Sequence, residues 1–232
     1  MTGEAAASSS DWQVAFPIRP ATEAADAMCE SWRILAARQR PGFHPKLREP
    51  LLTRALKTHV ENVTARARGL LGMWAAENVI NTIDDDTAEL TEERRTDIVY
   101  GWNDENQSIQ MVFEFKKMNA KTKARGEYLG PNGLGRFVTG IYSRGQPVAS
   151  MVGILLDPFD AVVPPIHQAL GQPATIASLN LCACDDGNIY QRPSLIFSVA
   201  DFDTEHRRAA DLAPQCGSIR VAHIFLSFGY AT

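Results

Sequence analysis

At 232 residues and 25.5 kDa, the chain is long enough for one domain, or one domain with an appendage. Apolar residues make up 45% and charged residues 22%, a globular composition that excludes a disordered or fibrous chain. The net charge of −4 excludes a wholesale basic coat, but it leaves room for a local basic groove, since nucleic-acid binding depends on where the charges lie.

No run approaches the roughly eighteen apolar residues of a membrane span. The opening MTGEAAASSSDW lacks the basic and apolar stretches of a secretory signal. Four cysteines (Cys29, Cys182, Cys184 and Cys216) are too sparse for a disulfide framework, and a cytoplasmic location is expected.

Residues 1 to 20 are Ala/Ser-rich and then Pro-punctuated, so loose order is expected there. Ala25, Met28, Trp32, Leu35 and Ala36 recur at helical spacing over 21–39, and PGFHPK ends that helix. A second helix is predicted from Glu49-Pro50 toward residue 68, with proline at a favoured first-turn position. Residues 70–80 read as a strand, followed by the polar excursion IDDDTAELTEERR.

TDIVYGW (96–102) and SIQMVFEFKKM (108–118) flank the turn-rich NDENQ and predict a hairpin. In the second arm Ile109, Met111, Phe113 and Phe115 share one face; Gln110, Val112, Glu114 and Lys116 share the other. A helix is predicted from about Asn132, a buried strand over 149–157, and a further helix within 158–180. SLNLCACDDGNIYQRPSLIFS suggests a hairpin around Asp185-Asp186-Gly187, and VAHIFLSF a last strand. The order reads as one α/β domain.

The chemistry concentrates in the central hairpin. Glu114 and Lys116 stand two apart on a strand and so project from one face, and Asp97 opens the partner arm beside them. Two converging carboxylates make an oxygen-ligand site suited to Mg²⁺. An adjacent lysine can hold or deprotonate a water, or neutralise charge on a phosphate. Phosphodiester hydrolysis needs those three parts.

D-I-V-Y…F-E-F-K resembles the PD-(D/E)xK, restriction-endonuclease-like nuclease superfamily over about residues 47–157. Thr96 stands where the family motif has its proline. The resemblance implies a restriction-endonuclease-like αβββαβ core with a central mixed sheet, here with an N-terminal helical extension and C-terminal β additions. It divides the chain into an extension (1–45) and a nuclease domain (46–232). It implies that Asp97, Glu114 and Lys116 are catalytic, with Asp97 and Glu114 holding Mg²⁺ or Mn²⁺. Many members add a glutamate on the first helix, which points to Glu49 as a third metal ligand, with Glu77 behind it. The substrate implied is DNA, in a setting of bacterial anti-phage defence or restriction.

KKMNAKTKAR packs Lys116, Lys117, Lys121, Lys123 and Arg125 into ten residues without an acid. Beside the candidate site, this stretch is expected to carry a phosphate backbone, with Arg136 reaching a phosphate from the following helix. Phe137, Ile141 and Tyr142 read as core. GPNGLGRFVTG matches neither a dinucleotide fingerprint nor a P-loop. Cys182 and Cys184 read as buried strand cysteines, and His223 as a hydrogen-bonded core histidine. His206, Arg207 and Arg208 are open to a phosphate or partner contact. A catalytically silent subunit of the same fold, binding nucleic acid or a partner protein, is the alternative; the complete Asp–Glu–Lys set favours the enzyme. Cutting two strands makes a homodimer attractive, and restraint of a nuclease makes a regulatory partner so.

Overall fold

A computed structural model describes residues 16–83, 90–103, 105, 108–184, 186–213 and 217–230. Trp12 and Cys216 lie outside the described residues.

Helix α1 (Ile18–Ala36) buries a stripe of Ala21, Ala24, Ala25, Met28 and Trp32. Small residues on that stripe let the helix lie close on the sheet, and the Trp32 indole donates to Ser227 O at 2.8 Å. Helix α2 (Glu49–His59) starts with Pro50 in its first turn, where proline's missing N–H costs nothing. It runs through a π-turn (Val60–Thr64) into the short α3 (Ala65–Ala67), and Gly69, at φ +64°, reverses the chain.

Strands β1 (Met73–Ile83), β2 (Leu90–Asn103) and β3 (Ser108–Met118) form an antiparallel meander. Helices α4 (Thr122–Leu129) and α5 (Gly135–Val138) lead to β4 (Val148–Leu155), parallel to β3 and wholly buried. Then come α6 (Phe159–Leu170), α7 (Pro173–Ser178), β5 (Phe202–Arg207) and β6 (Ser218–Ser227). The six strands make one mixed sheet in the order β1-β2-β3-β4-β6-β5.

Each face of the sheet is covered. Met28, Trp32, Leu52 and Leu56 from α1 and α2 pack against Ile98, Tyr100, Met111, Phe113 and Phe115. On the other face Tyr128, Phe137, Val163 and Ile166 pack against Val99, Val112, Met151 and Val221. The second face of β3, which alternation alone would leave to solvent, is therefore interior: Val112 and Glu114 are 0% and 1% exposed. That burial sets the electrostatics described below.

Three expectations need correction. The helix placed near Asn132 is a single turn, α5, and the principal helix of this connection is α4, within the stretch read as a basic stripe. Glycine forces the break, because a Cβ on Gly133 would collide with the Tyr128 carbonyl oxygen. The polar excursion after Ile83 is strand again from Leu90, paired to β1. Among the described residues of 178–198 no strand pair forms, and Asp185, at the expected turn, lies outside them. This segment instead lies along β5 through single bridges, Leu181 to His206 and Gln191 to Asp203, because the Asp203 carboxylate draws in the Ser194 hydroxyl (2.6 Å) and Leu195 N–H (2.7 Å). Cys182 and Cys184 are accordingly half-exposed in irregular chain rather than buried in a strand.

Candidate active site

The site is a fork in the sheet. Strand β2 pairs with β3 from Asn103↔Ser108 to Ile98↔Phe113 and no further, while β1 follows β2 outward and β4 stays with β3 to Met118. Beyond Phe113, the β3 groups on the β2 side lose their strand partner, and a buried unpaired N–H is costly. Side chains supply the missing acceptors. Asp97 Oδ2 receives the Phe115 N–H at 2.7 Å, and Glu49 Oε2 receives the Lys117 N–H at 2.8 Å. The Phe115 carbonyl accepts from Lys116 Nζ at 3.0 Å.

Glu114 projects from β3 beside the fork. Its Oε1 takes Lys116 Nζ at 2.7 Å and Arg136 at 3.4 Å. Its Oε2 is buried without a hydrogen-bond partner. Lys116 also lies 3.8 Å from Glu49 Oε1. Arg136, from α5, donates to the Tyr142 hydroxyl and its guanidinium carbon stands 5.1 Å from that ring's centroid.

This crowding of charge in a poorly solvated place shifts the three carboxyl groups and the lysine. Burial, then the neighbouring Asp97, pushes the Glu114 carboxyl up to about 8. Burial also raises Asp97, against the pull of the Phe115 N–H and Lys116. Glu49 is raised by burial, which Lys116 only partly offsets. For Lys116, burial works against the ammonium, but Glu114 and Glu49 outweigh it and the net shift is upward.

The structure thus brings Asp97, Glu114, Lys116, Glu49 and Arg136 together. Among the described residues, however, no group of three or more His, Cys, Asp or Glu side chains is arranged to hold a metal ion. Glu49 joins the expected set, its two oxygens facing the Lys117 amide and Lys116. Lys117 departs from the expected phosphate contact. It lies on the opposite face from Lys116, and its ammonium donates to Pro45 O (2.6 Å) and Leu47 O (2.9 Å), pinning the chain that enters α2. Lys121, Lys123 and Arg125 lie at or along the exposed side of α4, with Lys123 loosely paired to Glu127 at 3.9 Å. Glu77 pairs at the surface with Arg54 at 2.7 Å.

His206 and Arg208 are also corrected, since both are buried and bound internally. Arg208 donates to the carbonyls of Phe137 (2.7 Å), Ser143 (2.7 Å) and Tyr142 (2.9 Å), holding the turn that carries Arg136 and Tyr142. His206 belongs to a buried chain of polar groups. Leu179 O can only accept, so His206 Nδ1 carries the proton (2.8 Å) and its Nε2 accepts from the Thr204 hydroxyl (2.7 Å). Thr204 in turn accepts from His223 Nε2 (2.9 Å), whose Nδ1 accepts from Tyr128 (2.8 Å). His223 is the core histidine expected.

Tyr142 is the site residue that sequence reasoning misses. It is buried as expected of core, yet its hydroxyl meets Arg136. Nothing in R-F-V-T-G-I-Y separates a packing tyrosine from one that holds an arginine.

No protein-family model matches the chain, and comparison with curated proteins and with solved structures gives no significant match.

Proposed function

We propose that the chain is a divalent-cation-dependent phosphodiesterase acting on DNA, built on a restriction-endonuclease-like core. The order α2, β1, β2, β3, β4, with the first three strands antiparallel and the fourth parallel to the third, supports that core. The observation that carries the activity is Glu114. It is a carboxyl group held inside the protein against Asp97, with Oε2 met by no cation or N–H and its acidity weakened. Such a group gains most from a cation, and a Mg²⁺ ion takes one or two carboxylates with water and phosphate oxygens, so this pair fits one without a third protein ligand. Asp97 and Glu114 would hold it.

Mg²⁺ or Mn²⁺ bound there supplies Lewis-acid polarisation of a phosphate oxygen and a more acidic water. Lys116, kept cationic by its two glutamates in the metal-free protein, orients water and offsets charge growing on the phosphate. Glu49 positions Lys116, and Lys121, Lys123 and Arg125 meet the nucleic-acid backbone.

The test is plasmid and single-strand cleavage with Mg²⁺, Mn²⁺ or EDTA, beside Glu114→Ala and Lys116→Ala. Metal-dependent cutting that falls at least ~100-fold in both variants is expected. Cutting that survives both substitutions overturns the assignment.

A further inference from the structure

Two cations converge on a single oxygen of Glu114. Lys116 Nζ stands at 2.7 Å from Oε1 and Arg136 at 3.4 Å, while Oε2 has neither. The two contacts differ in kind. Lys116 is fixed by Glu114, Glu49 and the Phe115 carbonyl together, and its side chain is 16% exposed. Arg136 is 30% exposed and makes its long contact from one guanidinium nitrogen, Nη1, which also meets Tyr142. A guanidinium has five N–H donors in a flat fork, so most of this donor set is engaged by neither Glu114 nor Tyr142.

We infer that Arg136 is an exchangeable cation at Glu114: it stands against Oε1 until a divalent cation takes that carboxyl group, and then turns its guanidinium to the scissile phosphate. The inference rests on the phosphodiesterase reading and adds to it a competition between Arg136 and the cation. Tyr142 is the positioning residue. Its ring and hydroxyl hold the guanidinium at the mouth of the fork in either state, so the exchange needs rotation about the side chain and no movement of the backbone. Arg208 anchors the same turn from behind through the Phe137 and Tyr142 carbonyls. In the exchange one cation replaces another, and any proton that Glu114 carries leaves to solvent as the divalent cation binds.

The competition gives cation binding and DNA binding opposite signs on losing Arg136, which a purely structural arginine would not do. Mn²⁺ binding to the full chain, followed by electron paramagnetic resonance of the free ion, should tighten ~3–10-fold in Arg136→Gln, because a positive charge has left the ligand's side. Retention of a random-sequence 20-base-pair duplex should weaken with Ca²⁺ present and change little in EDTA, where Arg136 still faces Glu114, and cleavage with Mg²⁺ should fall ~100-fold or more. Arg136→Lys, which keeps the charge but not the fork, should return Mn²⁺ affinity to within about twofold of the parent and restore cleavage only in part. Melting temperatures of all forms keep a folding defect apart from the effect sought. Mn²⁺ affinity in Arg136→Gln that is unchanged or weaker, at a native melting temperature, overturns the exchange while leaving the nuclease reading intact. A parent protein that binds no Mn²⁺ overturns both.

Discussion

Asp97 and Phe115 stand in the relation of two neighbouring strands, although one of them contributes a side chain. The Asp97 carboxylate accepts the Phe115 N–H at 2.7 Å, where a backbone carbonyl of β2 would sit had the ladder continued past Ile98↔Phe113. Glu49 does the same for Lys117 at 2.8 Å. The opening of the sheet and the gathering of carboxylates are one event, and the residues that end the pairing stand at the gap between the strands.

Glu114 gives the sharpest pH dependence. Its carboxyl holds a proton up to about 8, above its ordinary 4.5, so the folded state binds more protons than the unfolded chain between those values. Its contribution to stability is therefore full below pH 4.5 and lost as pH rises through 8. Glu114→Gln, a fixed neutral analogue, should raise the melting temperature of the metal-free protein by about 2–8 °C at pH 8.5, corresponding to ~1–2 kcal/mol, and change it little at pH 4. Calorimetric scans at the two pH values decide it; stabilisation equal at both would contradict the assigned shift.

The buried chain from Tyr128 to Leu179 predicts the opposite slope. Burial holds His206 down at about 4, so its neutral form contributes stability above the ordinary 6.5 that is lost as pH falls toward 4. Thr204 links the two histidines, and Thr204→Val leaves both Nε2 atoms without a partner. A loss of about 2–4 kcal/mol is expected, read by denaturant unfolding at pH 7. A loss under ~0.5 kcal/mol would mean the chain of hydrogen bonds adds little.

Arg208 carries three carbonyls on one guanidinium. Arg208→Lys cannot match that fork and should destabilise by about 2–4 kcal/mol despite keeping the charge. Cleavage should fall with it, since the turn it holds carries Arg136 and Tyr142. Full activity in a destabilised Arg208→Lys would show that the turn keeps its shape unaided.

The basic residues divide into two groups that mutagenesis can separate. Lys117→Ala removes two hydrogen bonds to the chain before α2, and should lower the melting temperature by about 4–8 °C. Replacing Lys121, Lys123 and Arg125 together by alanine should leave it within ~2 °C and weaken DNA retention, flattening its salt dependence by about 2–3 in slope. Equal effects on melting and on DNA retention in both variants would erase the distinction.

What the sequence shows of this arrangement follows from locality. The alternation of β3 puts Glu114 beside Lys116, and helix-start chemistry singles out Glu49, because each depends on neighbours a few residues away. The fork is not legible, since where β2 leaves β3 is decided by residues far apart in the chain. Lys116 and Lys117 read as one basic run, yet a single step along a strand sends one to the gap and the other to Pro45 and Leu47. Helix α4 escapes notice because it buries only Ala124, Tyr128 and Leu129 and carries no apolar stripe. Tyr142 and Arg208 acquire their partners only through tertiary packing.

Because Asp97 serves as the missing neighbour of Phe115, the chemistry proposed for it and the architecture cannot be surrendered separately at that position. A descendant that abandoned catalysis would still need an acceptor there, and asparagine offers one where alanine does not. Loss of activity along such a lineage would begin with a swap of carboxylate for amide, leaving a fold that looks competent and is inert.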